Sequence, residues 1–324
     1  HSLALEYAGA LLLTKTNNFS PSDGYLAAEL DRIFGGTTYV DFVTANFYGP
    51  LAAGNYDRGG AGTLYDTAAY VNLIRTARAS QGIANLAAWD IGMGLVAAFA
   101  AGVDTTAWVA GVKAEIDELD GTQYYDVIGL AGAVYGLAFV GEDFDPTAGQ
   151  HAAAGSLADL AAILAIYQIA GGGFAWNSAY VIPNDANEAI QETAYAVLAL
   201  SQVNRNLYLE AIQGAAEYML SVQLATGGWA GDILSGENNE ITAEALWGIH
   251  TAAPEVWVAA GIGDDLNSGE RAFPKVSIQA GIDAVASGGT VNVLAGSYSE
   301  TASNRYLYDG SGPYQFGLFI GSAK

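Results

Sequence analysis

The chain has 324 residues, of which 52% are apolar and only 14% charged, enough for a large buried core in one big domain or two ordinary ones. Its 34 Asp and Glu against 11 Lys and Arg give a formal net charge of −23, which argues against nucleic acid and anionic membrane as partners, because each approach begins with repulsion. Cysteine is absent, so disulfides, thiolate catalysis and Cys-ligated zinc are excluded.

The spacing predicts a first helix over 3–15 and a second, capped by Ser22 or Asp23, running through Leu26, Leu30 and Ile33 to the Gly35-Gly36 stop. The opening stretch LALEYAGALLLTKT has an early glutamate and no basic leader, unlike a signal peptide. Residues 39–58 crowd aromatics and glycines without periodicity and read as a loop. From about 63 onward, apolar runs alternate in kind. Residues 104–120 place Trp108, Val112, Ile116 and Leu119 on one face, whereas the run from Thr122 to Val140 is nearly all apolar. A helix without a polar face has to be surrounded by protein, so amphipathic and wholly apolar helices in alternation predict two layers. Acids stand at the fronts of these runs, as in Tyr65-Asp66, Trp89-Asp90 and Tyr125-Asp126, where the helix dipole favours them.

Residues 171–202 and 227–250 share one design. GGGFAWNSAYVIPNDANEAIQETAYAVLAL and GGWAGDILSGENNEITAEALWGIH each open with glycines and aromatics, cross a polar loop and enter an apolar helix. Matching Asn187-Glu188 to Asn239-Glu240 aligns Glu192 with Glu244, and Trp176 and Trp229 fall in equivalent loops. Between them, Leu209, Ile212, Ala216, Met219 and Leu220 recur at helical spacing with one wet side.

These glycine-aromatic units resemble the repeats of the superfamily that includes terpenoid cyclases, protein prenyltransferases and complement-like thioester domains. The resemblance implies a mainly α fold, an α/α toroid or an arc of one, with loops at one end lining a central cavity; it covers 60–260 and is strongest over 171–250. The D-x-D-D acid motif of the cyclases is missing, since Asp143-Phe144-Asp145-Pro146 holds only two acids, and the zinc-binding cysteine of the prenyltransferases is missing too. The superfamily's chemistry therefore does not carry over.

After Pro254 the character changes. SIQAGID, GGTV and AGSYSE, over 277–300, resemble the start of a right-handed parallel β-helix of the pectin-lyase-like kind. A short helix at 276–286 and a strand at 290–294 are expected, in a small C-terminal domain over 261–324 that follows a helical domain over 1–260. A solenoid needs stacked repeats to bury its faces, so the resemblance implies a cap or the first coils of a larger polypeptide.

Three loops gather hard oxygen ligands of the type Ca²⁺ requires: Asn184-Asp185-Asn187-Glu188, Glu237-Asn238-Asn239-Glu240, and Asp264, Asp265, Asn267 and Glu270. The last sits at the domain junction and is the favoured calcium candidate, with helix capping the rival reading for the others. Trp176 and Trp229, with Tyr65, Trp89, Tyr124 and Tyr125 at corresponding positions, are candidates to stack on sugar faces beside Asn, Asp and Glu that take hydroxyl hydrogen bonds. Hydrolysis of a glycosidic bond needs two carboxylates, for which Glu188 or Glu192 with Glu240 or Glu244 are the first pairs. The scarcity of arginine disfavours uronate substrates. The expectation is a secreted or cell-surface module that binds a neutral or weakly charged glycan, or another surface protein, without catalysis. The alternative is a carbohydrate-active enzyme, a glycoside hydrolase or polysaccharide lyase, with an acidic, aromatic-lined cavity.

Overall fold

A computed structural model describes residues 2–16, 19, 21–48, 67–182, 187–231, 236–252, 255–267, 269, 273–285, 289–299, 303–305, 314–316 and 318. The first helices are α1 (Ser2–Leu13), α2 (Pro21–Phe34), α3 (Thr38–Val43), α4 (Thr67–Ser80), α5 (Leu86–Ala100) and α6 (Thr106–Glu118). They are followed by α7 (Asp126–Val140), α8 (Leu157–Ile166), α9 (Ile190–Asn204), α10 (Leu209–Ser221) and α11 (Asn239–Ala252). The second helix opens on Pro21 itself, whose fixed φ and missing N–H suit the first turn.

Two layers of helix build an arc. α2, α5, α7, α9 and α11 pack side by side in that order; α6, α8 and α10 bridge successive members from outside, and α4 packs on α5 and α6. Burial follows the sequence. Every residue of α7 from Asp126 to Leu137 is buried, as is every residue of α9 from Glu192 to Leu200. α6 instead buries Trp108, Gly111, Val112, Glu115 and Ile116 along one stripe, and α10 buries Ile212, Ala215, Ala216 and Met219. Removing such stripes from water is the main favourable term, roughly 25 cal/mol per Å² of apolar surface.

Glycine sets how closely the inner helices approach. A Cβ on Gly136 would lie 2.6 Å from the Gly92 carbonyl oxygen, and one on Gly132 would lie 2.7 Å from the Trp89 Cα, so α5 and α7 touch backbone to backbone. α7 stops at Gly141 with φ +76°, where the Glu142 N–H reaches the Leu137 carbonyl at 3.0 Å, the left-handed stop that glycine makes without strain. At the other end of the arc Arg205 donates to the carbonyls of Thr251 and Ala252 at 2.9 and 2.6 Å, supplying cations to the C-terminus of α11.

One aromatic from each inner helix enters the space between them. Trp89 of α5 meets Tyr195 of α9 at 5.2 Å between ring centroids, Tyr195 meets Trp247 of α11 at 6.3 Å, and Trp247 meets Tyr135 of α7 at 6.2 Å. Tyr25 of α2 closes on Trp247 at 5.6 Å, joining the first inner helix to the last. These five aromatics pack together among the inner helices, where the resemblance implied a central cavity.

The C-terminal tract holds α12 (Ile278–Ala284), started by Ser277, whose hydroxyl accepts from the Ala280 N–H at 3.1 Å. Following the order of strands, β1 (Phe174–Ala175) pairs antiparallel with β2 (Glu188–Ala189), and β3 (Val256–Val258) pairs parallel with β4 (Val291–Val293). β5 (Ser303–Arg305) pairs antiparallel with β6 (Tyr314–Phe316). The helix and strand expected near 276–286 and 290–294 are present. The β3–β4 pair crosses the boundary expected at 260; it is a two-stranded parallel unit, with Lys275 bridging in parallel to Val258.

Candidate functional site: an aromatic stack between two clefts

The backbone on either side of α7 and α9 is fixed first. The Asn85 side chain donates to the carbonyls of Asp120 and Tyr124 at 2.9 and 3.0 Å and accepts from the Asp120 N–H at 3.0 Å, so one amide shapes the 120–124 turn. Tyr125 then adopts φ +68°, the single positive φ outside glycine among the described residues, a conformation bulky residues hold only when their surroundings impose it. Asp126 opens α7 fully buried. Its carboxylate accepts from the Ser178 N–H at 3.1 Å and from Gln150 at 3.4 Å, tying the 176–180 segment to this turn. Asn177 completes the tie by donating to the Gln123 carbonyl. His151, beside Gln150, is held neutral by burial, which pulls its pKa down to about 4.

This scaffold carries three stacked rings. Trp176 lies 4.4 Å from Tyr180 and 5.4 Å from Tyr124, both pairs at 28° between planes. Trp176 is half-buried, while Tyr124 is 62% exposed and Tyr180 43%, so the outer tyrosine rings and the indole rim face solvent. Two clefts adjoin the stack. The larger, of about 480 Å³, runs along Gly121, Thr122, Gln123, Tyr124 and the 176–180 segment. The smaller, of about 230 Å³, lies between Tyr124, Tyr125, Trp176 and the first turn of α9, closed by Gly231 and Ile241.

Glu192 lines the smaller cleft although only 5% of it is exposed. Burial pushes its carboxyl up to about 8; its own backbone N–H opposes the shift, and the nearby Glu244 and Asp126 carboxylates add to it. Glu192 is therefore a neutral acid near pH 7. No other residue's side chain or backbone hydrogen-bonds it among the described residues.

The remaining candidates separate. Glu188 folds its side chain over the Gly171–Gly173 turn, and Glu240 is exposed on the first turn of α11. Glu244 is buried between helices, accepting from the Tyr195 phenol at 2.8 Å, and burial raises its carboxyl above the usual range. Of the four, Glu192 lines the smaller of these two clefts and the other three line neither. Trp229 is corrected: it is 1% exposed and its indole donates to the Met219 carbonyl at 2.7 Å, so it faces the core and no ligand. Trp89 belongs to the central aromatic packing and lines neither cleft. Tyr65 lies outside the described residues.

The equivalence of the two units is corrected with it. The Phe174 N–H donates to the Thr193 hydroxyl at 2.8 Å and the Trp229 N–H to the Thr242 hydroxyl at 2.9 Å. Ala175 pairs with Glu188 as Ala230 bridges to Glu237. Trp229 thus corresponds to Phe174, Gly231 to Trp176, and Glu244 to Tyr195, because the second unit's polar loop is shorter. Both glycine turns are pinned alike, Gln168 donating to the Gly172 carbonyl at 2.8 Å and Gln223 to that of Gly227 at 2.6 Å.

At the junction, Asp265 accepts from the N–H groups of Val276 and Ser277 at 2.9 and 2.8 Å and from the Ser277 hydroxyl at 2.7 Å. Slight burial opposes its charge, but these donors outweigh it and hold the carboxyl below its ordinary value. Asp264 accepts from the Leu266 N–H, and Asn267 donates to the Pro274 carbonyl, both at 2.9 Å. Glu270, Asn184 and Asp185 lie outside the described residues; among those described, no three His, Asp or Glu side chains converge as a metal site.

Sequence reasoning missed Tyr180, Gln191 and Ile241 as cleft residues. Tyr180 was legible as an aromatic in the same polar loop as Trp176, whereas Gln191 and Ile241 carry no signal apart from the fold. Comparison of the chain with family models, curated proteins and solved structures gives no match.

Proposed function

We propose that this protein is a non-catalytic module that binds a neutral or weakly charged glycan along the Tyr124–Trp176–Tyr180 stack. The observation that carries the reading is the juxtaposition of that stack with two adjoining clefts. Exposed aromatic rings cover the apolar faces of sugars, and the turn's polar groups take hydroxyl hydrogen bonds. The net charge of −23 favours an uncharged ligand over an anionic polymer. In this reading the arc is an α/α toroid of the cyclase-like superfamily, the β3–β4 pair with α12 is the start of a parallel β-helix in a larger polypeptide, and the module works secreted or at a cell surface.

Glu192 favours one second reading, a glycoside hydrolase. A carboxyl held protonated to about 8 beside a cleft has the state required of a general acid. A panel of neutral glycans assayed for both retention and released products separates the two. Retention without products supports the binding module, products lost on Glu192→Gln select the enzyme, and the absence of both retention and products refutes both readings.

A further inference from the structure

Glu192 is a buried carboxyl that lines a cleft and has no hydrogen-bond partner from another residue. Buried polar groups are nearly always paired, and an unpaired one at a cleft wall leaves its bond for a ligand. Its surroundings specify that ligand. Ile190 and Ile241 supply an apolar wall, Tyr125 and Trp176 supply aromatic edges, and Gln191 supplies the one amide among the described lining residues. The buried carboxylates Asp126 and Glu244 stand nearby, so an anionic group is disfavoured.

We infer that the smaller cleft is a subsite for the N-acetyl group of a 2-acetamido sugar, an assignment that rests on the glycan-binding reading above. A neutral Glu192 donates its O–H to the amide carbonyl. The carbonyl of Gln191, whose side chain neighbours the Glu244 carboxyl, accepts the amide N–H. The acetyl methyl packs on Ile190 and Ile241. The sugar ring then lies towards Trp176 and Tyr124, with the rest of the chain continuing into the larger cleft. A sugar with a hydroxyl in place of the acetamido group leaves the isoleucines uncovered and one of the two polar groups unpaired.

Titration calorimetry with tri-N-acetylchitotriose and with cellotriose tests this, since the two share their linkage and differ in the group at C2. The acetamido trimer is expected to bind about tenfold or more tightly, the discrimination typical of a site that pairs an amide and covers a methyl. Gln191→Leu, on a half-buried side chain, should bring the ratio close to one. Equal binding of both trimers by the unaltered protein overturns the acetamido subsite and leaves the glycan reading standing. Binding of neither overturns both, and an unchanged preference in a folded Gln191→Leu protein also overturns the subsite.

Discussion

The Tyr195 phenol donates to the Glu244 carboxyl at 2.8 Å in the buried seam between α9 and α11, and the two residues occupy equivalent positions in the paired helical units. Removing the phenol oxygen leaves a buried carboxyl short of a donor. Tyr195→Phe should therefore destabilise the protein by roughly 1–3 kcal/mol, whereas adding Glu244→Gln to it should recover part of the loss. Urea unfolding of the single and double variants checks this; additive effects would show that the contact carries no coupling.

Stability should fall with rising pH through the Glu192 titration. The folded carboxyl keeps its proton up to about 8, while an unfolded glutamate loses its proton near the ordinary value of 4.5. Between these limits the unfolded chain binds fewer protons, so Glu192's contribution is fully present below the ordinary value and is lost as pH climbs through the raised one. Glu192→Gln removes that dependence and should gain on the native protein, on the order of a few kcal/mol, between about pH 5 and about pH 9. Glu115 and Glu244, also raised by burial, remain in both proteins and cancel from the difference.

The α5–α7 contact should not tolerate a methyl group. Gly132→Ala places a Cβ against the Trp89 backbone, and overpacking of this kind costs roughly 1–3 kcal/mol. Gly102→Ala tests a different effect, since that residue has φ +70° and nothing near its Cβ; its cost is backbone strain alone. Thermal melts should show the larger loss for Gly132→Ala.

At the junction, Asp265→Ala removes the acceptor for three donors and should speed hydrogen exchange at the Val276 and Ser277 amides without altering exchange inside α7 or α9. Calcium titration read at the same two amides tests whether the loop also takes a cation; slower exchange on adding calcium would show that it does.

The layered arrangement was legible because burial writes itself into apolar periodicity: α7 and α9 lack a polar face, α6 and α10 have one. The register between the two units was not. The Asn-Glu pairs suggested one alignment, but the threonine hydroxyls of Thr193 and Thr242 establish another, because the loops differ in length and a short dipeptide match does not weigh hydrogen bonds. For the same reason Trp229 looked like Trp176. An aromatic after paired glycines reads alike whether it turns inward or outward, and the acceptor that draws Trp229 inward, the Met219 carbonyl, lies on a different helix. The central packing of Tyr25, Trp89, Tyr135, Tyr195 and Trp247 likewise comes from contacts between helices distant in sequence.

The most direct measurement of the central claim is hydrogen exchange read by mass spectrometry with and without tri-N-acetylchitotriose at saturating concentration. The account predicts slowed exchange confined to the 120–126 turn, the 174–180 segment and the first turns of α9 and α11, with the interior around the buried Trp229 unchanged. Protection elsewhere on the arc, or none at any segment when the trimer is present, would contradict it.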